Sequence, residues 1–396
     1  MRSLLVLTTC YPSDEKDPSG IFIANLLQAI ARRGYRVAVV APANGPFRGR
    51  AFLGGIEMVR FGYFWPRSLE KLTAGAGGIP ENITNSWLAR VQILPMMLAF
   101  VLRSLSSVRG SDIVYANWLG AGLVGAVVKL LTGKPLLVSF RGDDGYLARD
   151  RRLWRILTKW VTRKADVVAP VSAELMKIMR DLGTPAEKCH LPHFGVDTDM
   201  FHPCTRTAEG PQSPRLLFVG ALVPKKGVQV LLEALAHPAL SKFQLVVVGD
   251  GYYSQELKSV CEQMGLKDRT EWTGILPPAE VARVMRTSHI LCLPSYTEGS
   301  PNVIKEAMAS GLPVVASRVG GIPDLVREGE TALLFEPGSV EELRRCLLYF
   351  ITNPGMMGKM GAAGRELLMN RELSWDSTAA EFDVMFQSIV RARHVK

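Results

Sequence analysis

Two glutamates in one short segment could bind a ligand that carries several hydroxyl groups. Glu298 lies in a turn-rich stretch after an apolar run, and Glu306 lies about one turn inside the helix that follows. We expect that helix to begin near Pro301 or Asn302 and to end before Gly311. Its first backbone N–H groups and the positive end of its dipole favour a phosphate group. Because carboxylates accept hydrogen bonds from sugar hydroxyls, the segment predicts a nucleotide-sugar site, although either glutamate alone could be a solvated charge.

The elements that must position this segment are predicted by short apolar runs separated by helical stretches. The runs lie at 4–7, 37–40, 113–115, 136–139, 167–169, 216–219, 245–248, 290–293 and 314–316. Uninterrupted apolar runs are typical of parallel strands that are covered on both faces. The expected fold class is α/β, with two doubly wound, Rossmann-like domains facing across a cleft. Such sheets bind ligands at the carboxyl ends of their strands.

The length of the chain and one irregular segment predict where the domains divide. A chain of 396 residues exceeds one hydrophobic core of ordinary size, so two domains are expected. A stretch rich in proline and glycine, from about 191 to 214, is typical of a linker. We place the first domain at 1–198 and the second at 199–374, followed by a final helical segment at 375–396.

The apolar stretches and the cysteines argue against a membrane span, a secreted protein and a metal scaffold. The longest apolar stretches, at 91–102 and 113–128, are shorter than the roughly 20 residues that a spanning helix needs. Arg2 is followed by only a short apolar run, so no signal peptide is expected. The six cysteines are scattered without a Cys-x-x-Cys pair, which suits a reducing cytosol.

Positive charge is concentrated in the first half of the chain. Residues 1–190 contain 26 Lys and Arg against 14 Asp and Glu, whereas residues 191–396 contain 21 against 23. The excess indicates that the first half meets a large anion, such as lipid headgroups, a pyrophosphate-linked substrate or nucleic acid. Solubility alone is the simpler explanation.

A basic helix is predicted within this half, over residues 149–164. One face of its helical wheel is basic and contains Arg151, Arg152, Arg155, Lys159 and Arg163. The opposite face is apolar and contains Leu153, Ile156, Leu157, Trp160 and Val161. Such a helix could lie on an anionic membrane, and the apolar segment 87–108 is a second membrane-facing candidate. A packed helix with a solvated basic face is the alternative.

Several motifs along the chain share the spacing of one enzyme family. They are Phe218-Val219-Gly220, Pro224-Lys225-Lys226-Gly227, Glu298-x7-Glu306, Gly311-x-Pro313, Gly320-Gly321-Ile322-Pro323-Asp324, Val171-Ser172 and Gly195-Val196-Asp197. In this pattern the chain resembles the retaining family-4 glycosyltransferases of GT-B fold, in the glycosyl transferases group 1, of bacterial surface-polysaccharide type. The resemblance extends over nearly the whole chain and is weakest at about 45–110.

The resemblance implies roles for individual residues. Glu306 would hold the nucleotide ribose, Glu298 the transferred sugar, and Lys226 the pyrophosphate, for which a flexible ammonium group is well suited. The implied catalytic residues are Glu298, Arg141 and Lys226. The implied donor-binding residues are Ser19, Gly20, Gly220, Lys226, Gly249, Ile275, Glu298, Gly299, Ser300, Pro301, Asn302, Val303 and Glu306. The final helix would pack back on the first domain.

Some of these roles have simpler alternatives. At Ser19 and Gly20, backbone N–H groups could approach the leaving diphosphate because glycine has no side chain in the way. Equally, Ser19 could only cap the following helix. The Lys-Lys-Gly segment around Lys226 is, on its own, also typical of a solvated turn.

The chain departs from the family pattern at two positions. Ala221 replaces the arginine that usually follows the glycine, so Lys226 must do more of the work on the diphosphate. Arg141 replaces the histidine of the family's His-Gly-x-Asp loop, and a guanidinium cannot act as a base. Arg141 could steady the sugar or the diphosphate, or form a structural salt bridge with Asp143 or Asp144. These adjacent carboxylates lack a third ligand, and we predict no metal.

The predicted function is transfer of a sugar from a nucleotide diphosphate sugar to a hydroxyl acceptor with retained anomeric configuration. The acceptor, a lipid-linked glycan or glycolipid precursor, would bind the first domain and the donor the second. No cofactor and no nucleic-acid partner are expected. The predicted location is cytoplasmic, with peripheral contact at the inner, anionic face of the membrane. The alternatives are a nucleotide-sugar epimerase of similar fold and a non-enzymatic two-lobed sugar-binding protein.

Overall fold

The computed structural model describes residues 2–14, 17, 19–45, 47–73, 78–204 and 213–394. The chain forms two compact units. The first comprises Met1–Phe194 together with Trp375–Lys396, and the second comprises Gly195–Ser374. Val196 and Phe201 belong to the hydrophobic core of the second unit, so the stretch around residue 198 packs with that unit.

The first unit is built on a seven-stranded sheet. Its strands are β1 Arg2–Leu7, β2 Tyr35–Pro42, β3 Gly49–Leu53, β4 Ile56–Phe61, β5 Ile113–Asn117, β6 Leu136–Phe140 and β7 Val167–Pro170. Their order is β3-β4-β2-β1-β5-β6-β7, and every neighbouring pair is parallel except the β3–β4 hairpin. The strand order reverses between β1 and β5, which is where such sheets bind ligands.

In the described part of the first unit, eight α-helices precede the second unit along the chain. They are α1 Ile21–Arg32, α2 Gly78–Asn85, α3 Trp87–Val91, α4 Ile93–Ser107, α5 Trp118–Thr132, α6 Asp143–Asp150, α7 Arg152–Lys164 and α8 Ala173–Asp181. Strands β5, β6 and β7 are buried along their whole length, as the apolar runs predict for parallel strands covered on both faces.

The segment predicted as one basic helix over 149–164 is interrupted at Arg151, so Arg149 lies at the end of α6 and residues 152–164 form α7. Arg151 is extended (φ −121°, ψ 125°) and separates α6 from α7. On α7, Leu153 and Ile156 are 64% and 54% exposed, so part of the predicted apolar face is not packed inside the first unit. The helix instead packs against α5 where a Cβ atom on Gly122 would lie 3.0 Å from Val161 Cγ1. This close approach buries the face that carries Val161, and α7 therefore exposes apolar and basic residues together.

Helix α4 is apolar on both its inner and outer sides. By length and composition alone, Ile93–Gly110 could cross a membrane, although the sequence analysis predicts no span. Met96 and Phe100 are buried, and α4 packs on β2 and β4, so the helix is a layer of the first unit. Its outer side exposes a row of leucines at four-residue spacing, which are Leu94, Leu98 and Leu102.

The second unit has a six-stranded, entirely parallel sheet. Its strands are β8 Arg215–Val219, β9 Gln244–Val248, β10 Thr270–Gly274, β11 Ile290–Leu293, β12 Val314–Ser317 and β13 Ala332–Phe335, in the order β10-β9-β8-β11-β12-β13. Its helices are α9 Val228–Leu235, α10 Ser254–Gln263, α11 Pro278–Thr287, α12 Asn302–Ala309, α13 Ile322–Leu325, α14 Val340–Thr352 and α15 Gly355–Asn370. The order reverses between β8 and β11, so the loops after these strands meet at one edge.

The last helix, α16 Trp375–His394, belongs to the first unit and packs on α1. Phe382 and Phe386 lie in the hydrophobic core of that unit. Two carboxylates of α16 also bind it to the rest of the first unit. Asp376 pairs with Arg32 of α1 at 2.8 Å, and Asp383 accepts a hydrogen bond from the Tyr35 hydroxyl at 2.6 Å.

Candidate active site

The loops after β8 and β11 are joined where the strand order of the second unit reverses. Gly227 has a left-handed backbone (φ 69°), and a Cβ atom there would clash with the carbonyl oxygen of Pro294. Glycine therefore lets the loop after β8 pass directly beside the end of β11. The N–H of Tyr296 donates to the carbonyl of Lys225 at 2.8 Å and ties the two loops together. This contact places Lys226 next to the loop that carries Glu298.

Lys226 and Glu298, both predicted as catalytic, form an ion pair. Lys226 Nζ lies 2.6 Å from Glu298 Oε1, and the hydroxyl of Ser295 donates to the same oxygen at 2.7 Å. The Glu298 side chain is 8% exposed and that of Lys226 is 21% exposed. An ammonium group has three N–H donors, so Lys226 can contact a phosphate while it still holds Glu298. The pair thus places an ammonium group that can bind an anion beside a carboxylate that can accept hydrogen bonds from hydroxyls.

Glycines lie at the ends of the neighbouring strands β8, β9 and β10. A Cβ atom on Gly249 (φ 131°) would clash with the carbonyl oxygen of Gly220, and the Gly220 N–H donates to Val248 O at 3.0 Å. The Gly249 N–H donates to the carbonyl of Gly274, the last residue of β10, at 2.8 Å. The predicted residue Ile275 comes directly after Gly274 and is 56% exposed. Glycine at position 249 therefore lets the ends of β8 and β9 pack directly against each other.

Helix α12 begins at Asn302, directly after the Glu298 loop. Pro301, the residue that precedes the helix, gives no side-chain cap to the first N–H groups, including those of Asn302 and Val303. The Gly321 N–H donates to Gly299 O at 2.9 Å and fixes the loop that leads into the helix through Ser300. Uncapped N–H groups at a helix start are suited to phosphate oxygens.

Glu306 is half-buried and its carboxylate forms no hydrogen bond or ion pair with any residue that the structure describes. Burial raises its pKa to about 7, and the charge of the neighbouring Lys305 opposes that rise. Buried polar groups are normally partnered within the protein. A desolvated acid that lacks a protein partner is typical of a ligand-binding group.

The predicted residues of the first unit lie at the carboxyl ends of β1 and β6. Gly20 (φ 72°) starts α1, and a Cβ atom there would lie 2.8 Å from Cys10 O. The alternative that Ser19 caps α1 is not supported, because no side chain caps this helix. The α1 start is therefore formed by free backbone, as the diphosphate hypothesis requires.

Arg141 lies among aromatic rings in the first unit. Its guanidinium carbon is 5.0 Å from the ring centre of Phe22 and 4.8 Å from that of Phe194. Its Nε donates to Asn117 Oδ1 at 2.8 Å and its Nη2 to the Tyr115 hydroxyl at 3.0 Å. Across the described parts of the chain it forms no ion pair, so a salt bridge to Asp143 or Asp144 is not present. The positive charge of Arg141 is thus held by neutral groups.

Asp144 has a structural environment. Its carboxylate accepts backbone N–H bonds from Leu119 at 2.9 Å, Gly145 at 3.0 Å, and Arg141 and Gly142 at 3.2 Å. Burial raises its pKa to about 6, against the effect of these four hydrogen bonds. Among the residues with described positions, no group of three or more His, Cys, Asp or Glu side chains is arranged to hold a metal ion.

Several residues that hold the predicted ones in place were not identified from the sequence. Ser295 fixes Glu298 through a hydrogen bond. It could have been identified from the sequence, because it lies three residues before Glu298, just after a predicted strand. Lys305 is fully buried beside Glu306, and nothing in its spacing distinguishes it from a solvated helix lysine. Tyr115 and Asn117 hold Arg141 from a neighbouring strand, a contact that only the sheet order reveals.

Comparisons with known proteins find family matches in both units of the chain. The family description "Glycosyl transferases group 1" matches residues 206–367, and "Glycosyl transferase 4-like domain" matches residues 19–195. The MMP alpha-(1->4)-mannosyltransferase of Mycolicibacterium hassiacum is 30% identical over 345 residues, which are 81% of this chain and 78% of that protein.

Two solved structures have the same fold along nearly the whole chain. A sucrose-phosphate synthase from Thermosynechococcus elongatus has a TM-score of 0.82 at 20% identity and covers 99% of this chain and 100% of that one. The HepE protein of Anabaena, in complex with UDP-glucose, has a TM-score of 0.77 at 19% identity and covers 98% and 100%. The fold class predicted from the sequence, GT-B with two doubly wound α/β domains, is confirmed.

Proposed function

The chain belongs to the glycosyl transferases group 1 family, and we propose that it transfers a sugar from a nucleotide diphosphate sugar to a hydroxyl group of an acceptor. The observation that carries the proposal is the Lys226–Glu298 pair at the β8–β11 reversal. It lies in the loop that leads to the uncapped start of α12, and the unpartnered Glu306 follows on the same helix. A cation, free N–H groups and two carboxylates match the diphosphate and the hydroxyls of one such donor.

Each part of the donor has a group that can bind it. Lys226 and the first N–H groups of α12 would neutralise the diphosphate, including the charge that develops as it leaves. Glu298 would hold hydroxyls of the transferred sugar, and Glu306 would hold the ribose. The Anabaena protein of the same fold was solved with UDP-glucose, so UDP-sugars are the first donors to test.

We propose that the anomeric configuration is retained. The bond between the anomeric carbon and the leaving phosphate oxygen breaks while the acceptor oxygen attacks on the same face. The acceptor proton passes to the leaving phosphate oxygen, so no protein base is needed. The protein then contributes alignment and charge stabilisation. Arg141, a cation without an ion pair among the described residues, would steady the sugar or the diphosphate charge.

Titration with a panel of UDP-, GDP- and ADP-sugars tests the proposal. One donor is expected to bind with saturation, and its sugar should pass to an acceptor when the two are incubated together. Conversion of the donor sugar to its epimer without any acceptor would instead identify an epimerase. Binding of free sugars without turnover would identify a sugar-binding protein.

Turnover is expected to survive treatment with EDTA. The diphosphate charge would be balanced by Lys226 and the α12 N–H groups, while Asp144 is already engaged with four backbone N–H groups. Initial rates with and without chelator provide the measurement. If EDTA abolishes turnover and Mg²⁺ or Mn²⁺ restores it, Asp143 and Asp144 become metal-ligand candidates.

We also propose that the acceptor is lipid-linked and that the enzyme works in the cytoplasm at the inner face of a membrane. The support comes from the outer sides of α4 and α7, where leucines are exposed beside basic residues. Residues 82–111 and 151–165, which contain these two helices, include no Asp or Glu. A surface that is apolar and basic without acidic residues complements an anionic bilayer.

Binding to anionic vesicles is therefore expected to depend on salt and on five residues of the α7 region, which are Arg151, Arg152, Arg155, Lys159 and Arg163. Each basic residue near an anionic surface contributes ~1 kcal/mol, and the attraction decays within about 8 Å at physiological salt. Changing all five to glutamine should abolish co-sedimentation with anionic vesicles. A matched variant removes five exposed cations of the second unit, namely Lys242, Lys258, Lys267, Arg283 and Lys359. The proposal would be contradicted if the wild type and both variants bound anionic vesicles equally, or if the wild type bound zwitterionic vesicles as well as anionic ones. In that case α7 is a packed helix with a solvated basic face.

A further inference from the structure

A cavity of about 660 Å³ in the first unit is lined by five arginines. It lies between the β3–β4 hairpin, the loop that follows β4, and α4. The arginines are Arg48, Arg50, Arg60, Arg67 and Arg103, and none of the described lining residues is acidic. The cavity does not include any of the residues predicted for the donor site.

Two of the five arginines are neutralised and two are not. Arg48 pairs with Glu70, and Arg50 lies 3.0 Å from Glu57. The exposed side chains of Arg67 and Arg103 form no hydrogen bond or ion pair with the part of the chain that the structure describes. The cavity therefore carries uncompensated positive charge at its rim.

The fifth arginine, Arg60, is buried without a carboxylate partner. It is 4% exposed, and its guanidinium donates to the carbonyls of Pro42 and Pro12 at 2.9 Å each and to that of Tyr11. A buried guanidinium is normally paired with an anion, because burying an unpaired charge is unfavourable. No ion pair within the described residues supplies that anion here.

Three buried polar atoms of lining residues lack a hydrogen-bond partner within the described structure. They are the Nε atoms of Arg48 and Arg60 and the hydroxyl oxygen of Ser107. All three can donate a hydrogen bond, and native structures leave few buried donors unsatisfied. The residues that line the cavity therefore carry buried donors that no described acceptor satisfies.

The position of the cavity relates it to the acceptor side of the reaction. Gly49 pairs with Arg60 in the hairpin, so the cavity opens at the carboxyl end of β4. Arg60 also contacts the carbonyls of Tyr11 and Pro12 in the loop between β1 and α1. On the other side, Arg103 follows the exposed Leu102 on α4. The cavity thus connects the ligand edge of the sheet with the apolar outer side of α4.

We propose that this cavity, the arginine pocket, binds the phosphate or diphosphate group of the acceptor. The exposed, unpaired guanidinium groups of Arg67 and Arg103 suit an anion with more than one charge, and the planar arginine fork matches phosphate oxygens in pairs. The oxyanion site stands on the contacts above, while its assignment to the acceptor rests on the proposed glycosyl transfer. The phosphate can come from a lipid headgroup or from a soluble phosphate ester.

The test is a calorimetric titration of inorganic pyrophosphate into the full chain saturated with UDP, so that the donor site is already filled. The double variant Arg67→Gln/Arg103→Gln removes the two exposed, unpartnered cations and should lower the affinity about tenfold or more, as expected when charge-assisted hydrogen bonds are lost. The matched variant Arg109→Gln/Lys177→Gln removes two exposed cations of the same unit outside the pocket and should leave the affinity unchanged.

Unchanged pyrophosphate affinity in the pocket variant, or an equal loss in the matched variant, would overturn the proposal. Competition by phosphatidylcholine vesicles that contain phosphatidic acid supports the pocket and identifies a lipid headgroup as its ligand. Saturable pyrophosphate binding without such competition supports the pocket and identifies a soluble phosphate ester. UDP binding is measured separately in each protein, so a failure of the proposed donor site is distinguished from a failure of the pocket.

Discussion

Replacement of Glu298 by glutamine is expected to lower kcat by about 100- to 1000-fold, the range seen when a group that acts on transition-state charge is removed. The buried carboxylate is held by Ser295 and by Lys226 at 2.6 Å. Glutamine keeps the shape but loses the charge that fixes Lys226 against the diphosphate and accepts hydroxyls of the sugar. The measurement is the rate of sugar transfer at saturating donor, with UDP affinity determined by calorimetry in parallel.

Folding should change little in this variant, because the Lys226 side chain is 21% exposed and can be solvated when its partner is lost. Circular dichroism melting checks that point. Glu366→Gln, which removes an exposed glutamate of α15, is the matched control and should keep wild-type kcat. A kcat for Glu298→Gln that equals the control would show that Glu298 does not act on the transferred sugar.

Replacement of Glu306 by glutamine is expected to weaken UDP binding by about tenfold or more, since charge-assisted hydrogen bonds to the ribose are lost. In the wild type, UDP affinity should rise as the pH rises through about 7, because hydroxyl donors prefer the ionised carboxylate and the pKa of Glu306 is raised to about 7. Calorimetry across a pH series measures both effects. Normal UDP binding by Glu306→Ala would sink the assignment.

The same substitution should stabilise the protein in alkaline solution. The pKa of Glu306 is about 7 in the folded state, above its ordinary value of 4.5, so the folded state binds more protons between these two pH values. Wild-type stability therefore falls as the pH rises through about 7, and glutamine removes that loss. The expected gain is about 1–2 kcal/mol near pH 8 and close to zero near pH 4, discounted because the side chain is only half-buried. Urea unfolding at both pH values measures the difference, and Glu366→Gln should show no such pH dependence.

The sequence by itself determined the sheet framework and the chemistry of the second unit. Every apolar run identified in the sequence is a strand, because parallel strands that are buried on both faces need apolar residues at successive positions. Glu298 and Glu306 could be placed on either side of a helix start by local spacing alone. Contacts within one strand–loop–helix segment depend on few backbone angles, so residue types and spacing predict them.

The β3–β4 hairpin and the strands β10 and β13 were not predicted. The β3 strand is a mostly exposed edge strand, and no apolar run marks it. The sequence left open whether the apolar face of α7 packs inward or meets a membrane. The side that is buried is set by the close approach at Gly122, which leaves Leu153 and Ile156 exposed.

Only the tertiary structure decided which distant residues meet. It showed that Lys226 pairs with Glu298, that Arg141 has aromatic neighbours and no carboxylate partner among the described residues, and that arginines from β3, β4 and α4 line one cavity. These contacts join residues from separate strands and loops. Their formation depends on strand order and on where glycines permit close approach, as Gly227 does beside Pro294. Sequence spacing does not predict these contacts, because it constrains only residues that are near each other along the chain. Which residues become neighbours across the sheet is determined by packing.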